Sequence, residues 1–136
     1  MADVSVTAAS VVKTATTIFA IGVAGATVTA GQPVYQDTTA SNKLKPADAD
    51  VLASSKVAGI ALHGASDGQP LQYATGGNLT FNSAFTVGQV YVASTNAGGI
   101  APYSDLVSGD YVTTLGIATS ATNLKIGILY SATAKP

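Results

Sequence analysis

The sequence predicts a single all-β domain, a β-sandwich or small jelly-roll-like β-barrel with an internal duplication. Three observations lead there. Valine, threonine and isoleucine are plentiful, whereas glutamate and arginine are absent and methionine occurs once, a composition suited to pleated strands rather than helices. Short apolar runs alternate with stretches rich in glycine, serine and asparagine, the rhythm of strands and turns. Two stretches also repeat each other in order and spacing. A length of 136 residues fits one domain and not two ordinary ones.

Taken in order, Val4 and Val6 alternate with Asp3, Ser5 and Thr7 as in a half-buried strand. Val11-Val12 and Ile18 to Val23 read as further strands, and Thr27 to Thr29 as a short one, with Gly22, Gly25 and Gly31 supplying breaks. The next strand starts in Gly31-Gln32-Pro33-Val34-Tyr35, because a proline is tolerated at a strand's first residue or on an edge. Residues 37–43 form a polar tip and Leu44 begins the return, followed over 46–55 by one helical turn or an ordered loop. Val57 to Leu62 is a strongly apolar strand. Leu71 to Ala74 and Leu79 to Phe81 flank Thr75-Gly76-Gly77-Asn78, a hairpin signal. Val90 to Ala93, Tyr111 to Ala118 and Leu124 to Tyr130 complete the strands.

The repeat organises these pieces. Gly31-Gln32-Pro33-Val34-Tyr35 recurs as Gly88-Gln89-Val90-Tyr91 with the proline omitted, Pro46 matches Pro102, Val51 matches Val107, and Gly59-Ile60-Ala61 recurs as Gly116-Ile117-Ala118. Gly68-Gln69-Pro70-Leu71 looks like a partial third start. The domain then divides into an arm and strands (1–30), copy one (31–62), a central hairpin (63–87), copy two (88–119) and a C-terminal strand and tail (120–136). Each copy is expected to bury the other's apolar face.

Charge narrows the function. Charged residues make up 10% of the chain and the net charge is −1, against about 25% charged in typical soluble domains. No strong basic field draws nucleic acid or an anionic membrane, and without arginine there is no bidentate phosphate fork. The absence of cysteine excludes disulfides, thiolate catalysis and cysteine-bound zinc, and a lone histidine, His63, excludes a multi-histidine metal site in one chain. So sparse a charge predicts a surface covered by other protein in the working state. Lys13 followed by the apolar stretch from Ile18 loosely imitates a secretory signal, but Asp3 offsets the lysine and threonines at 14, 16 and 17 interrupt the run. The apolar runs fall short of the ~20 residues of a membrane span.

Few motifs invite chemistry. Gly64-Ala65-Ser66-Asp67-Gly68 matches the G-x-S-x-G pattern of a nucleophile elbow, with His63 beside it. A true elbow turns from strand into helix, whereas Pro70 points to another strand, so Ser66 and Asp67 read as turn residues. Asp48 and Asp50 form a D-x-D pair with Asp37 a possible neighbour, too few oxygens for a calcium site, which needs about six or more. Lys43 and Lys45 flank Leu44 as a solvated edge that discourages stray strand pairing. Asn78-Leu79-Thr80 is a glycosylation sequon. The chain is thus expected to be no enzyme, with no catalytic, cofactor-binding or metal residue and no cofactor. The candidate contact residues are Ala2, Asp3, Val4 and Val6 of the arm, together with Tyr35, Tyr91 and Tyr103. The arm either pairs with a neighbour's strand edge or forms the domain's own first strand. Tyrosines join a large apolar face to a polar tip, which suits interfaces.

Several motifs together resemble a family. Ala30-Gly31-Gln32-Pro33-Val34-Tyr35, Val57-Ala58-Gly59-Ile60-Ala61-Leu62 and Thr75-Gly76-Gly77 look like those of small bacteriophage capsid decoration, or cement, proteins. Thr86-Val87-Gly88-Gln89-Val90-Tyr91-Val92, Gly98-Gly99-Ile100-Ala101-Pro102 and Leu115-Gly116-Ile117-Ala118 extend the likeness across nearly the whole chain. The resemblance implies an all-β protein that binds the outside of an icosahedral head as a homodimer or homotrimer. There it bridges copies of the major capsid protein and resists the pressure of packaged DNA. It implies a virion location after synthesis in the host cytoplasm, no nucleic-acid or membrane partner, and no catalytic residue. The alternatives are another virion part, such as a tail or fibre-base β domain, and a carbohydrate-binding adhesion module.

Overall fold

In the computed structural model, which describes residues 3–136, the chain is all-β: one curled antiparallel sheet forms a half-barrel, with three short 3-10 turns. The strands are β1 (Val12–Lys13), β2 (Ile18–Val23), β3 (Pro33–Asp37), β4 (Lys43–Pro46), β5 (Val57–Ala61), β6 (Pro70–Thr80), β7 (Val90–Ala93), β8 (Ile100–Pro102), β9 (Tyr111–Ala118) and β10 (Asn123–Ala134). Their order across the sheet is β4-β3-β5-β6-β10-β9-β7-β8, with β1 and β2 also paired to β6. Read outward from the centre, each side is one arrangement used twice: β6-β5-β3-β4 and β10-β9-β7-β8.

The registers repeat as well. Pro33 faces Ile60 and Val34 faces Gly59, then a bulge sets Tyr35 opposite Val57. In the other half Val90 faces Ile117 and Tyr91 faces Gly116, then a bulge sets Val92 opposite Thr114. The hairpins agree: Val34 with Pro46 and Gln36 with Leu44 correspond to Tyr91 with Pro102 and Ala93 with Ile100. This corrects the sequence alignment. Pro33 holds the place of Val90, so Tyr91 corresponds to Val34 and not to Tyr35. The one-residue difference lies in the hairpin tips, 37–43 against 94–99. A tip absorbs a residue at small entropic cost, whereas a deletion inside a strand turns every following side chain to the other face.

A second correction concerns the centre. The expected hairpin over 71–81 is not one, because β6 runs unbroken from Pro70 to Thr80. Gly77 has φ +75, and a Cβ there would collide with the Thr16 carbonyl oxygen. The glycines therefore admit the 14–17 turn against the strand. That turn is fastened by the Thr14 and Thr17 hydroxyls, which both donate to the Asn78 carbonyl. β10 pairs with β6 from Gly76 to Thr80, and β2 pairs with it from Pro70 to Gly76.

Both outer edges are capped in the same way. Gly25 N–H donates to Leu44 O at 2.7 Å on β4, and Val4 N–H donates to Ile100 O at 2.8 Å on β8. Val4 to Val6 thus lies along β8 without forming a named strand, and Thr27 to Thr29 contributes a single bridge, Val28 to Ala65. The core repeats too. Val34, Leu44, Ala61 and Tyr73 pack together in one cluster, and their counterparts Tyr91, Ile100, Ala118 and Leu124 lie in a larger one with Leu79, Phe81 and Phe85. Phe81 and Phe85, and Phe85 and Tyr91, meet edge-on with centroids 4.9 and 4.8 Å apart, a geometry worth about 0.5–1.5 kcal/mol per pair beyond burial.

Candidate functional site

The segment resembling a nucleophile elbow is a turn between β5 and β6. Gln69 N–H donates to Ser66 O at 3.0 Å, Gln69 Oε1 accepts Ser66 N–H at 2.8 Å, and Gly68 takes φ +87. His63 Nε2 accepts the Gln72 N–H at 3.0 Å, so the proton sits on Nδ1, which donates to Gly64 O at 2.9 Å. Both ring nitrogens hold backbone groups, and neither bonds Ser66.

The acidic residues also work locally. Asp48 Oδ1 accepts the Asp50 N–H at 2.7 Å, which closes a turn. Asp37 accepts the Lys45 ammonium at 2.7 Å, the Thr39 hydroxyl at 2.6 Å and the Thr39 N–H at 3.0 Å. These bonds, led by Lys45, hold its carboxyl at about 2, and the same contact raises the Lys45 ammonium above its ordinary value. Lys43 pairs with Asp67 at 3.3 Å. Among the described residues no three histidine, aspartate or glutamate side chains converge as a metal site. The sequon residue Asn78 sits within β6 with its amide donating to the Thr16 hydroxyl at 3.3 Å, and not on a free loop.

Two open clefts of about 420 and 460 Å³ flank the arm, both lined by Asp3 and Ser5. Asp3 accepts the Ser94 hydroxyl at 2.6 Å and the Asn96 amide at 3.1 Å, fastening the arm to the β7–β8 tip. Asn82 accepts Thr7 N–H at 2.9 Å and donates to Ser5 O at 2.8 Å. Val4 and Val6 rest against the large core. The arm packs against its own chain beside β8 without forming a strand. Ala2 lies outside the described residues.

The tyrosines separate. Tyr91 is 4% exposed, and its hydroxyl accepts the Thr86 N–H at 2.8 Å. Its ring belongs to the core, like that of its counterpart Val34, and the little surface it keeps lines the cleft of about 420 Å³. Tyr35 is half-buried against the large core. Tyr103 remains at the surface, with the Lys135 ammonium 4.4 Å from its ring centroid.

Neither a protein-family model nor a curated protein matches the chain. No helix of the described residues is long and apolar enough to cross a membrane.

The surface that sequence reasoning missed is β2. Ile18, Phe19, Ile21 and Val23 are 62%, 43%, 66% and 42% exposed, and Val12 of β1 is 56% exposed. Five of the twelve exposed large hydrophobics among the described residues thus lie in one short stretch. Ala20 packs inward, and a Cβ on Gly22 would press on Leu44. The small residues face the core and the large ones face solvent. The signal was legible as alternation of large and small within an apolar run. Between Thr14 and Gln36 there is also no charged residue.

Proposed function

We propose that this chain is a bacteriophage capsid decoration protein, a non-enzymatic structural component bound as a homo-oligomer to the outer surface of the major capsid protein shell. The observation that carries the reading is an apolar strand, β2, left exposed on a protein with hardly any charge. Apolar patches of this kind mark contact surfaces, because isolated soluble proteins seldom leave them bare. The resemblance of its sequence motifs to those of cement proteins supports the same reading. Each copy makes a modest interface, and many copies on one shell bridge neighbouring subunits with a combined strength no single contact has. A net charge of −1 lets identical copies sit close without mutual repulsion.

The test adds purified protein to shells that lack it. Saturable binding to heads, together with a rise in the temperature or osmotic shock the particles survive, is expected. Binding to tails alone, or equal survival of bare and treated particles, would overturn the reading.

A further inference from the structure

We infer that His63 is a pH-sensitive latch on the turn between β5 and β6, closed while its ring is neutral and opened when the ring takes up a proton. The inference concerns the fold alone and stands apart from the decoration reading.

The latch completes a ladder that the main chain leaves unfinished. Ile60 faces Ala74 and Ala61 faces Tyr73, so the next pair in register is Leu62 with Gln72. Half of that pair is regular, since Leu62 N–H donates to Gln72 O at 3.0 Å. In a hydrogen-bonded antiparallel pair the Leu62 carbonyl would accept the Gln72 N–H in return. His63 Nε2 accepts it instead, at 3.0 Å, while Nδ1–H donates to Gly64 O at 2.9 Å. A carbonyl keeps its lone pairs in mild acid, whereas an imidazole nitrogen accepts only while it carries no proton. The ladder thus ends on an acceptor that acid removes.

Histidine is the side chain whose ordinary change of charge falls between about pH 5 and 8, and His63 is the only one in the chain. In the imidazolium both ring nitrogens are donors, so Nε2–H meets the Gln72 N–H donor to donor. The contact breaks, the ring turns away, and the Gln72 N–H is left to water. Nothing around the turn offsets the new charge. β2, β5, β6 and the segment 24–32 carry no charged residue, and their one titratable group is the Tyr73 hydroxyl, a phenol that acid leaves uncharged. On the turn itself Asp67 pairs with Lys43 at 3.3 Å, and beyond it Asp37 pairs with Lys45 at 2.7 Å. Among the described residues these elements leave no spare carboxylate to hold a charged ring in place. The closed form therefore binds one proton fewer at His63 than the open form, so acid favours opening and the closed turn prevails at neutral and alkaline pH.

The consequence reaches the end of β2. Gly68 N–H donates to Ala24 O at 2.8 Å, and Ala24 N–H donates to Gln69 O at 2.9 Å. Ala65 and Val28 exchange two further bonds, at 2.9 and 2.8 Å. Ala65 is buried with Ala24 and Val28 in the smaller core cluster. The turn thus closes one end of that cluster, and its release at His63 loosens the seat of Ala24 directly after the exposed apolar strand.

Two-dimensional nitrogen–proton NMR of the full chain, from about pH 8 to about pH 5, tests the latch. The Gln72 amide resonance is expected to move in step with the His63 ring protons. Exchange protection at Gln72, corrected for the intrinsic rate, is expected to fall roughly fivefold, with smaller losses at Ala65 and Gly68. His63→Gln supplies an amide oxygen that accepts with or without acid, and its Gln72 amide is expected to hold still over the same range. His63→Ala lacks the acceptor throughout, so its Gln72 amide in the alkaline sample is expected to resemble that of the parent in the acid one. A Gln72 amide that ignores the titration of His63, or that titrates unchanged in His63→Gln, overturns the inference. So does a His63→Ala chain whose Gln72 amide matches the parent in the alkaline sample. Shell binding plays no part in these readouts, so the latch and the decoration reading stand or fall separately.

Discussion

Gly76 and Gly127 stand directly opposite each other in the β6–β10 ladder, and each holds the same position in its own half of the sheet. The approximate two-fold axis relating the halves passes between them. Full symmetry would extend the ladder equally on both sides of this pair. β6 and β10 pair only from Gly76 to Thr80, and β2 pairs with β6 from Pro70 to Gly76.

Gly59 and Gly116 occupy equivalent bulge positions, and a Cβ on either would collide with a carbonyl oxygen, that of Ala74 or of Lys125 respectively. Gly59→Ala and Gly116→Ala are each expected to cost about 1–3 kcal/mol. Gly127→Ala, with open space around its Cβ, is expected to stay within about 0.5 kcal/mol of the parent. Urea unfolding of the three variants checks this, and a neutral Gly116→Ala would count against the shared register.

Gly77→Ala is expected to be more costly than Gly127→Ala, since it combines φ +75 with the approach of Thr16. The loss should appear first as faster amide exchange in β1 and β2, whose seating against β6 depends on that approach.

The Asp37 carboxyl, held at about 2 by Lys45 and Thr39, titrates below its value in the unfolded chain. Its contribution to stability is present above pH ~4 and fades as pH falls toward 2, because the unfolded state then binds more protons. Lys45, raised by the same contact, contributes below its unfolded value and loses that contribution at strongly alkaline pH. Asp37→Asn should flatten the acid limb of a plot of unfolding midpoint against pH, and an unaltered limb would contradict the pairing.

Tyr91→Phe removes the acceptor of the Thr86 N–H and is expected to cost about 1 kcal/mol. Tyr91→Ala also opens the edge-on stack with Phe85 and is expected to cost about 3–5 kcal/mol. Chemical denaturation measures both, and a small loss for Tyr91→Ala would return this residue to the surface.

Much of the fold was legible in the sequence, because strands announce themselves through local composition: β2, β7 and β9 fall where the apolar runs put them. The repeat was visible in Gly59-Ile60-Ala61 and Gly116-Ile117-Ala118, but its alignment was not. Gap placement in a short motif is decided by ladder register, which joins residues distant in sequence. The Gly76-Gly77 pair misled for a related reason. Two glycines serve a hairpin turn or a close approach equally well, and the approaching Thr16 comes from 61 residues away. The apolar character of 18–23 was evident, but whether its large residues face the core or solvent depends on which strand it joins.

The central claim is that this protein covers a shell, and the number of copies in a purified virion tests it most directly. Quantitative mass spectrometry of intact particles is expected to find hundreds of copies, in fixed ratio to the major capsid protein. A handful of copies per particle, or none, would contradict the account.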